Sequence, residues 1–144
     1  MSNFRGYLLK FGDVEFPNKY IAYESFKSYP NQRLEVEAYR DANSLLHRVT
    51  SKNYKTKLEF NTRGSITLAE KEEIFNVINN GLVSGGTIER KYKLEYWNDE
   101  ISDYSGKDDT FYMPDIEFTI KTITEDKENS NIIYSPIRIA FIQY

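Results

Sequence analysis

The stretch NYKTKLEFNTR, residues 53–63, alternates without a break. Tyr54, Thr56, Leu58, Phe60 and Thr62 share one parity, while Lys55, Lys57, Glu59, Asn61 and Arg63 share the other. Successive Cβ atoms of a strand point to opposite faces, so this pattern predicts a strand with one buried and one wet face. The same period returns in IERKYKLEYW, where Ile88, Tyr92, Leu94 and Tyr96 oppose Glu89, Lys91, Lys93 and Glu95. In YMPDIEFTIK it sets Tyr112, Ile116, Phe118 and Ile120 against Asp115, Glu117, Thr119 and Lys121. RLEVEAYR is a shorter case, with Leu34, Val36 and Ala38 inward; GYLLKF, DVEF and YIAYESFKSY are weaker strands. The carboxyl-terminal IIYSPIRIAFIQY places Ile133, Ile137, Ile139 and Phe141 on one face. Pro114 and Pro136 mark edge positions or bulges, because proline cannot donate to a ladder.

One segment has a helical period. In TLAEKEEIFNVINNG, Thr67 as N-cap and Glu70 three residues later form a capping box. Leu68, Ile74, Phe75 and Ile78 supply an apolar stripe, and Gly81 ends the helix. A helix this short needs its stripe buried against a sheet. TEDKENSN reads as an exposed hairpin loop. The expected fold class is mainly β, with one flanking α-helix at about 67–80. It is a β-sandwich or partly open barrel of antiparallel strands, as a single domain over 1–144.

The 144 residues contain no cysteine, which excludes disulfides and cysteine-ligated metal. Net charge is -3, and lysines and glutamates are interleaved rather than gathered into a basic stripe, so specific nucleic-acid binding is not expected. No apolar run approaches the ~20 residues of a membrane helix or the length of a signal peptide, and a soluble, cytosol-made chain is expected. Twelve tyrosines and nine phenylalanines suit β-structure and protein contact.

The acid- and aromatic-rich stretch from Glu95 to Phe118 is the candidate for chemistry. A calcium loop begun at Asp103 fails, because its glycine, Gly106, falls at the fourth position instead of the sixth. Asp103, Asp108 and Asp109 leave a loose oxygen site against the plainer reading of a solvated loop. Glu95, Asp115 and Glu117 lie beside lysines on polar strand faces, as on any wet sheet, and do not read as an acid pair. His47 is the single histidine, too few for a zinc triad, and no G-x-S-x-G turn supports Ser44 or Ser51 as a nucleophile. No enzyme, metal or cofactor is expected. Binding by shape remains. Tyr96, Trp97, Tyr104, Phe111, Tyr112 and Met113 surround a loop of about a dozen residues, a length usually functional or disordered. Trp97, on the polar parity of its strand, is expected to offer an exposed indole to a sugar ring or a protein surface.

The run FPNKYIAYESFKSYPNQRLEVEAYRDANSLLHR, the mid-chain helix, YWNDE…YSGKDDTFYMPDIEFTI and the closing IIYSPIRIAFIQY together resemble small proteins from tail modules of siphophages and prophages of Gram-positive bacteria. Their layout is similar to the tail-tube and distal-tail (baseplate hub) fold. The resemblance implies a structural virion component, without catalytic residues, that assembles with itself as a hexamer or other ring and with other tail proteins. It implies that the loop from Asn98 to Thr110 reaches a neighbouring subunit and that Leu45 to Arg48 matches a second feature. The interface residues expected on this basis are Trp97, Asp99, Asp103, Tyr104, Asp108, Asp109, Phe111, His47 and Arg48. The alternative is a carbohydrate-binding module that stacks a glycan on Trp97 and Tyr104.

Overall fold

The computed structural model describes residues 2–32, 35–40, 42, 46–50, 55–83 and 90–144, with backbone alone in the strand residues 31–32, 35–40 and 46–50. In chain order the elements are β1 (Leu9–Phe11), β2 (Val14–Glu15), two 3-10 turns (Asn18–Tyr20 and Tyr23–Ser25), β3 (Lys27–Gln32), β4 (Glu35–Arg40), β5 (Leu46–Thr50), β6 (Lys55–Asn61) and β7 (Ile66–Thr67). Then follow α1 (Leu68–Asn79), β8 (Lys91–Tyr92), β9 (Leu94–Asn98), β10 (Asp103–Ser105), β11 (Phe111–Tyr112), β12 (Ile120–Thr124), β13 (Asn131–Tyr134) and β14 (Arg138–Gln143).

The fold is mainly β. The described strands make three antiparallel sheets, ordered β10-β9-β1-β2, β3-β6-β14-β11-β8 and β12-β13-β7, plus the ribbon β4-β5, and no described sheet closes into a barrel. The alternating stretch, of which Tyr54 lies outside the described residues, is β6, a central strand whose Thr56, Leu58 and Phe60 are buried, as is Thr62 just beyond it. Their face meets Leu9, Phe11 and Phe16 from the amino-terminal strands and Ile139 and Phe141 from β14 in one core. Rings there meet at an angle, Phe11 with Phe141 at 5.4 Å and Phe16 with Phe60 at 5.5 Å, the arrangement that aromatic quadrupoles favour.

The helix forms as its sequence demands. The Thr67 side chain accepts from the Glu70 amide at 3.2 Å, and the Glu70 carboxylate accepts from the Thr67 amide at 3.2 Å. Ile74 and Ile78 are buried, and Leu68 and Phe75 lie partly buried at the core margin. Thr67→Ala is expected to lower stability by about 1 kcal/mol, read as a shift in urea midpoint at unchanged slope.

Tyr20, ending the first 3-10 turn, ties that segment to the helix: its hydroxyl donates to the Glu73 carboxylate. Burial, then this bond to a carboxylate, push its phenol up to about 12. The fold therefore favours the neutral phenol over an unfolded value near ~10. The resulting stability is complete below about pH 10 and is lost as pH rises toward 12. Tyr7, Tyr92 and Tyr96 are shifted in the same direction, chiefly by burial. Tyr20→Phe is expected to flatten part of the loss of stability across that window, measured by urea unfolding at successive pH values.

Several strand expectations need correction. YIAYESFKSY is not one strand: its first part holds the 3-10 turns, and β3 starts only at Lys27. Of the strand read over 88–96, Ile88 and Glu89 lie outside the described residues, and the rest is interrupted at Lys93. β8 pairs with β11 in one sheet, β9 pairs with β1 in another, and the Lys93 amide between them donates to the Gly81 carbonyl at 2.7 Å. YMPDIEFTIK is not an alternating strand either. Residues 113–119 have no strand pairing, Met113 is buried, and Phe118 and Ile120 are exposed. Pro114 lies in that irregular run and Pro136 in the link from β13 to β14, so each sits in a connection between sheets.

β3 pairs antiparallel with β6, and β4 with β5. Lys27 pairs with Glu59, Tyr29 with Lys57 and Gln32 with Lys55; Glu35 then pairs with Thr50, Ala38 with Arg48 and Arg40 with Leu46. Each of the two pairings contains a register shift. The outer ribbon β4–β5 has no other strand neighbour among the described residues and spans about 17 Å on its own.

Candidate functional site

Asn98 organises the loop singled out in the sequence. It is buried (3%), its Oδ1 accepts from the Glu100 amide at 2.9 Å, and its Nδ2 donates to Ser105 Oγ at 3.2 Å. That side chain folds the backbone into a turn completed by Ser102 at φ +52°, and β10 pairs straight back onto β9. The expected long loop from Asn98 to Thr110 is therefore a tight hairpin, β9–β10, followed by a short return to β11. The strand opposite β9 is β10 on one side and β1 on the other, not residues 112–121.

Trp97 is half-buried. Its ring meets Phe4 at 5.2 Å and Tyr104 at 5.3 Å, both edge-on, and its indole N–H donates to Asp99 Oδ1 at 2.7 Å. Tyr104 stacks on Tyr7 at 4.5 Å, donates its hydroxyl hydrogen to the Tyr7 carbonyl at 2.9 Å and accepts from the Arg5 amide at 2.9 Å. Tyr7 donates to Glu95 Oε1 at 2.5 Å, and Arg5 reaches the same oxygen at 3.0 Å. Burial and the Glu95 carboxylate hold the Tyr7 phenol well above its ordinary value. These contacts clasp the amino-terminal segment onto β9–β10. The indole expected to wait for a partner is already occupied within the chain.

The other expected interface residues scatter. Asp99, Asp103, Asp108 and Asp109 are exposed around the hairpin and its return. Among the described residues, no three His, Cys, Asp or Glu side chains gather as a metal site. Phe111 does not face a neighbour at all: it is fully buried on β11, between β14 and β8, against Tyr96 at 6.3 Å. His47 and Arg48 lie on β5, opposite Tyr39 and Ala38; their side chains, and Leu45, lie outside the described residues.

Two surfaces escaped the sequence reading. The first is a cavity of about 370 Å³ beside the β1–β2 turn, where Arg5, Lys10, Lys93 and Lys107 face Asp13 and Glu95. Glu95 is paired with Arg5; among the described residues none of the three lysines is ion-paired. The second is the hairpin β12–β13. Every residue of β12 is exposed, including Ile120 at 51% and Ile123 at 54%, and Phe118 just before it is 47% exposed. Among the described residues only β13 pairs with β12, which leaves its other edge without a described partner. Phe118 and Tyr134 anchor the base of this hairpin on α1, with Phe75 5.8 Å from Phe118 and the Lys71 ammonium over both rings.

Over its full length, residues 1–144, the chain matches the model of one protein family, described as a family of unknown function, DUF6711. The chain belongs to the DUF6711 family. No curated protein and no solved structure matches it. What this DUF6711 chain offers a partner is thus read from its own described surface: an apolar strand edge without a described partner, the β4–β5 ribbon and a lysine-lined cavity.

Proposed function

We propose that the protein is a structural subunit of a phage or prophage tail or baseplate, acting by ring-forming oligomerisation of its own copies, in the simplest case as a hexamer. The observation that carries this reading is β12, an open strand edge with Ile120 and Ile123 turned to solvent. Unpaired backbone N–H and C=O groups beside apolar side chains are a template for another chain, and proteins that stay monomeric normally blunt such edges. Here the only charge in the strand is Lys121. In a ring the open edge is covered by the next copy through a heterologous contact that closes by rotation.

The β4–β5 ribbon, without another strand neighbour among the described residues, supports the same reading, since a subunit that joins its neighbours needs strands with edges to offer. The inward engagement of Trp97 and Tyr104 favours assembly over a sugar platform. Work of this kind needs no catalytic group, cofactor or membrane contact. Negative-stain electron microscopy of concentrated protein tests it: closed rings or stacks of rings are expected. Uniform single-subunit particles would overturn it.

A further inference from the structure

We propose that the acidic tip of the β12–β13 hairpin seats in the lysine-lined cavity beside the β1–β2 turn of the next copy. This rests on the ring reading above and names the surface that receives the hairpin.

Charge is the first argument. The link from β12 to β13 carries Glu125, Asp126 and Glu128 against one lysine, Lys127, and all are exposed. None of those three carboxylates is ion-paired among the described residues. The cavity carries the complementary excess: Lys10, Lys93 and Lys107 are likewise without ion pairs, and Arg5 is balanced by Glu95. A protein with net charge -3 has many exposed acids, so a place where unpaired cations outnumber anions is informative. Matching potentials steer encounter and fix register, and their effect weakens with salt.

Continuity is the second argument. The acidic tip follows directly on β12, the open apolar edge. The receiving surface also ends in an edge without a described partner: β2 is the outer described strand of its sheet, starts immediately after Asp13 of the cavity and exposes Val14 at 37%. One neighbour therefore offers both an unpaired edge for the strand and cations for its tip. Tip and cavity belong to different sheets, so the contact is head-to-tail, as a ring requires.

The test is a charge exchange. One variant carries Glu125→Lys and Glu128→Lys; the other carries Lys93→Glu and Lys107→Glu; all four positions are exposed. Far-ultraviolet circular dichroism and urea midpoints check that both keep the fold. Each variant alone is expected to need a concentration on the order of 100-fold higher for half-assembly. Mixed in equal amounts they are expected to assemble again, because native tip meets native cavity and reversed tip meets reversed cavity. Assembly of both variants at the wild-type concentration, or no recovery on mixing, overturns this inference and leaves the ring reading standing. A wild type that is monomeric at every concentration overturns both.

Discussion

Gly81→Ala is expected to destabilise the protein by about 3 kcal/mol, at the upper end of what overpacking a filled site costs. The glycine follows the helix end and is buried against the switch from β8 to β9. A Cβ placed there would lie 2.3 Å from the Lys93 carbonyl oxygen and 3.2 Å from the Phe11 ring. The first neighbour is backbone, held because the Lys93 amide donates to the Gly81 carbonyl at 2.7 Å. Relief needs the helix end to move away from the point where two sheets exchange a strand. The reason for glycine is close approach, since no left-handed φ is involved. Gly64→Ala is the control: nothing lies within 4 Å of its Cβ position, so the urea midpoint should hardly change. A Gly81→Ala protein as stable as wild type would mean that the helix end and β9 are not locked together.

The second large effect falls on association. Ile120→Lys combined with Ile123→Lys is expected to abolish assembly while changing monomer stability by about 0.5 kcal/mol or less. Both side chains are more than half exposed on an edge strand, so the fold loses little by the change. Lysine is a residue natural sheets use to blunt edges, and with Lys121 three of the five β12 positions would then be charged. Sedimentation velocity paired with urea unfolding reads both quantities. Retained assembly would remove β12 from the interface. Loss of assembly together with a collapsed urea midpoint would show instead that the hairpin supports the fold.

The legible parts of the fold were those set by local period. β6 could be read residue by residue, because all three of its inward positions, Thr56, Leu58 and Phe60, are buried. The capping box of Thr67 and Glu70 is a contact between residues three apart, so its sequence signature is nearly its structure. The break at Lys93 was hidden, because Tyr92, Leu94 and Tyr96 keep their parity through it and only the pairing partners change. Residues 112–121 failed for the opposite reason: alternation was present, but 113–119 make no ladder with a described strand.

The candidate site was less legible. Trp97 was placed on the polar parity of its strand, as its composition suggests. What fills the space beside it is Phe4, while Arg5 reaches Tyr104 across 99 positions of sequence. Phe111 stood beside a loop in the sequence yet sits between two strands in space. Conversely, the alternation in YMPDIEFTIK sets Ile120 inward, and its exposure on β12 depends on having no covering layer among the described residues, which no local pattern records. The cavity draws Lys10, Lys93 and Lys107 from three separate stretches, each of which reads as a solvated face.

Native mass spectrometry of the wild type over a concentration series, beside the Ile120→Lys/Ile123→Lys protein, tests the central claim most directly. A single closed oligomer that grows in with concentration for the wild type, and is missing for the variant, is the predicted result. A wild-type protein that stays at 17.0 kDa throughout would contradict assembly as its function.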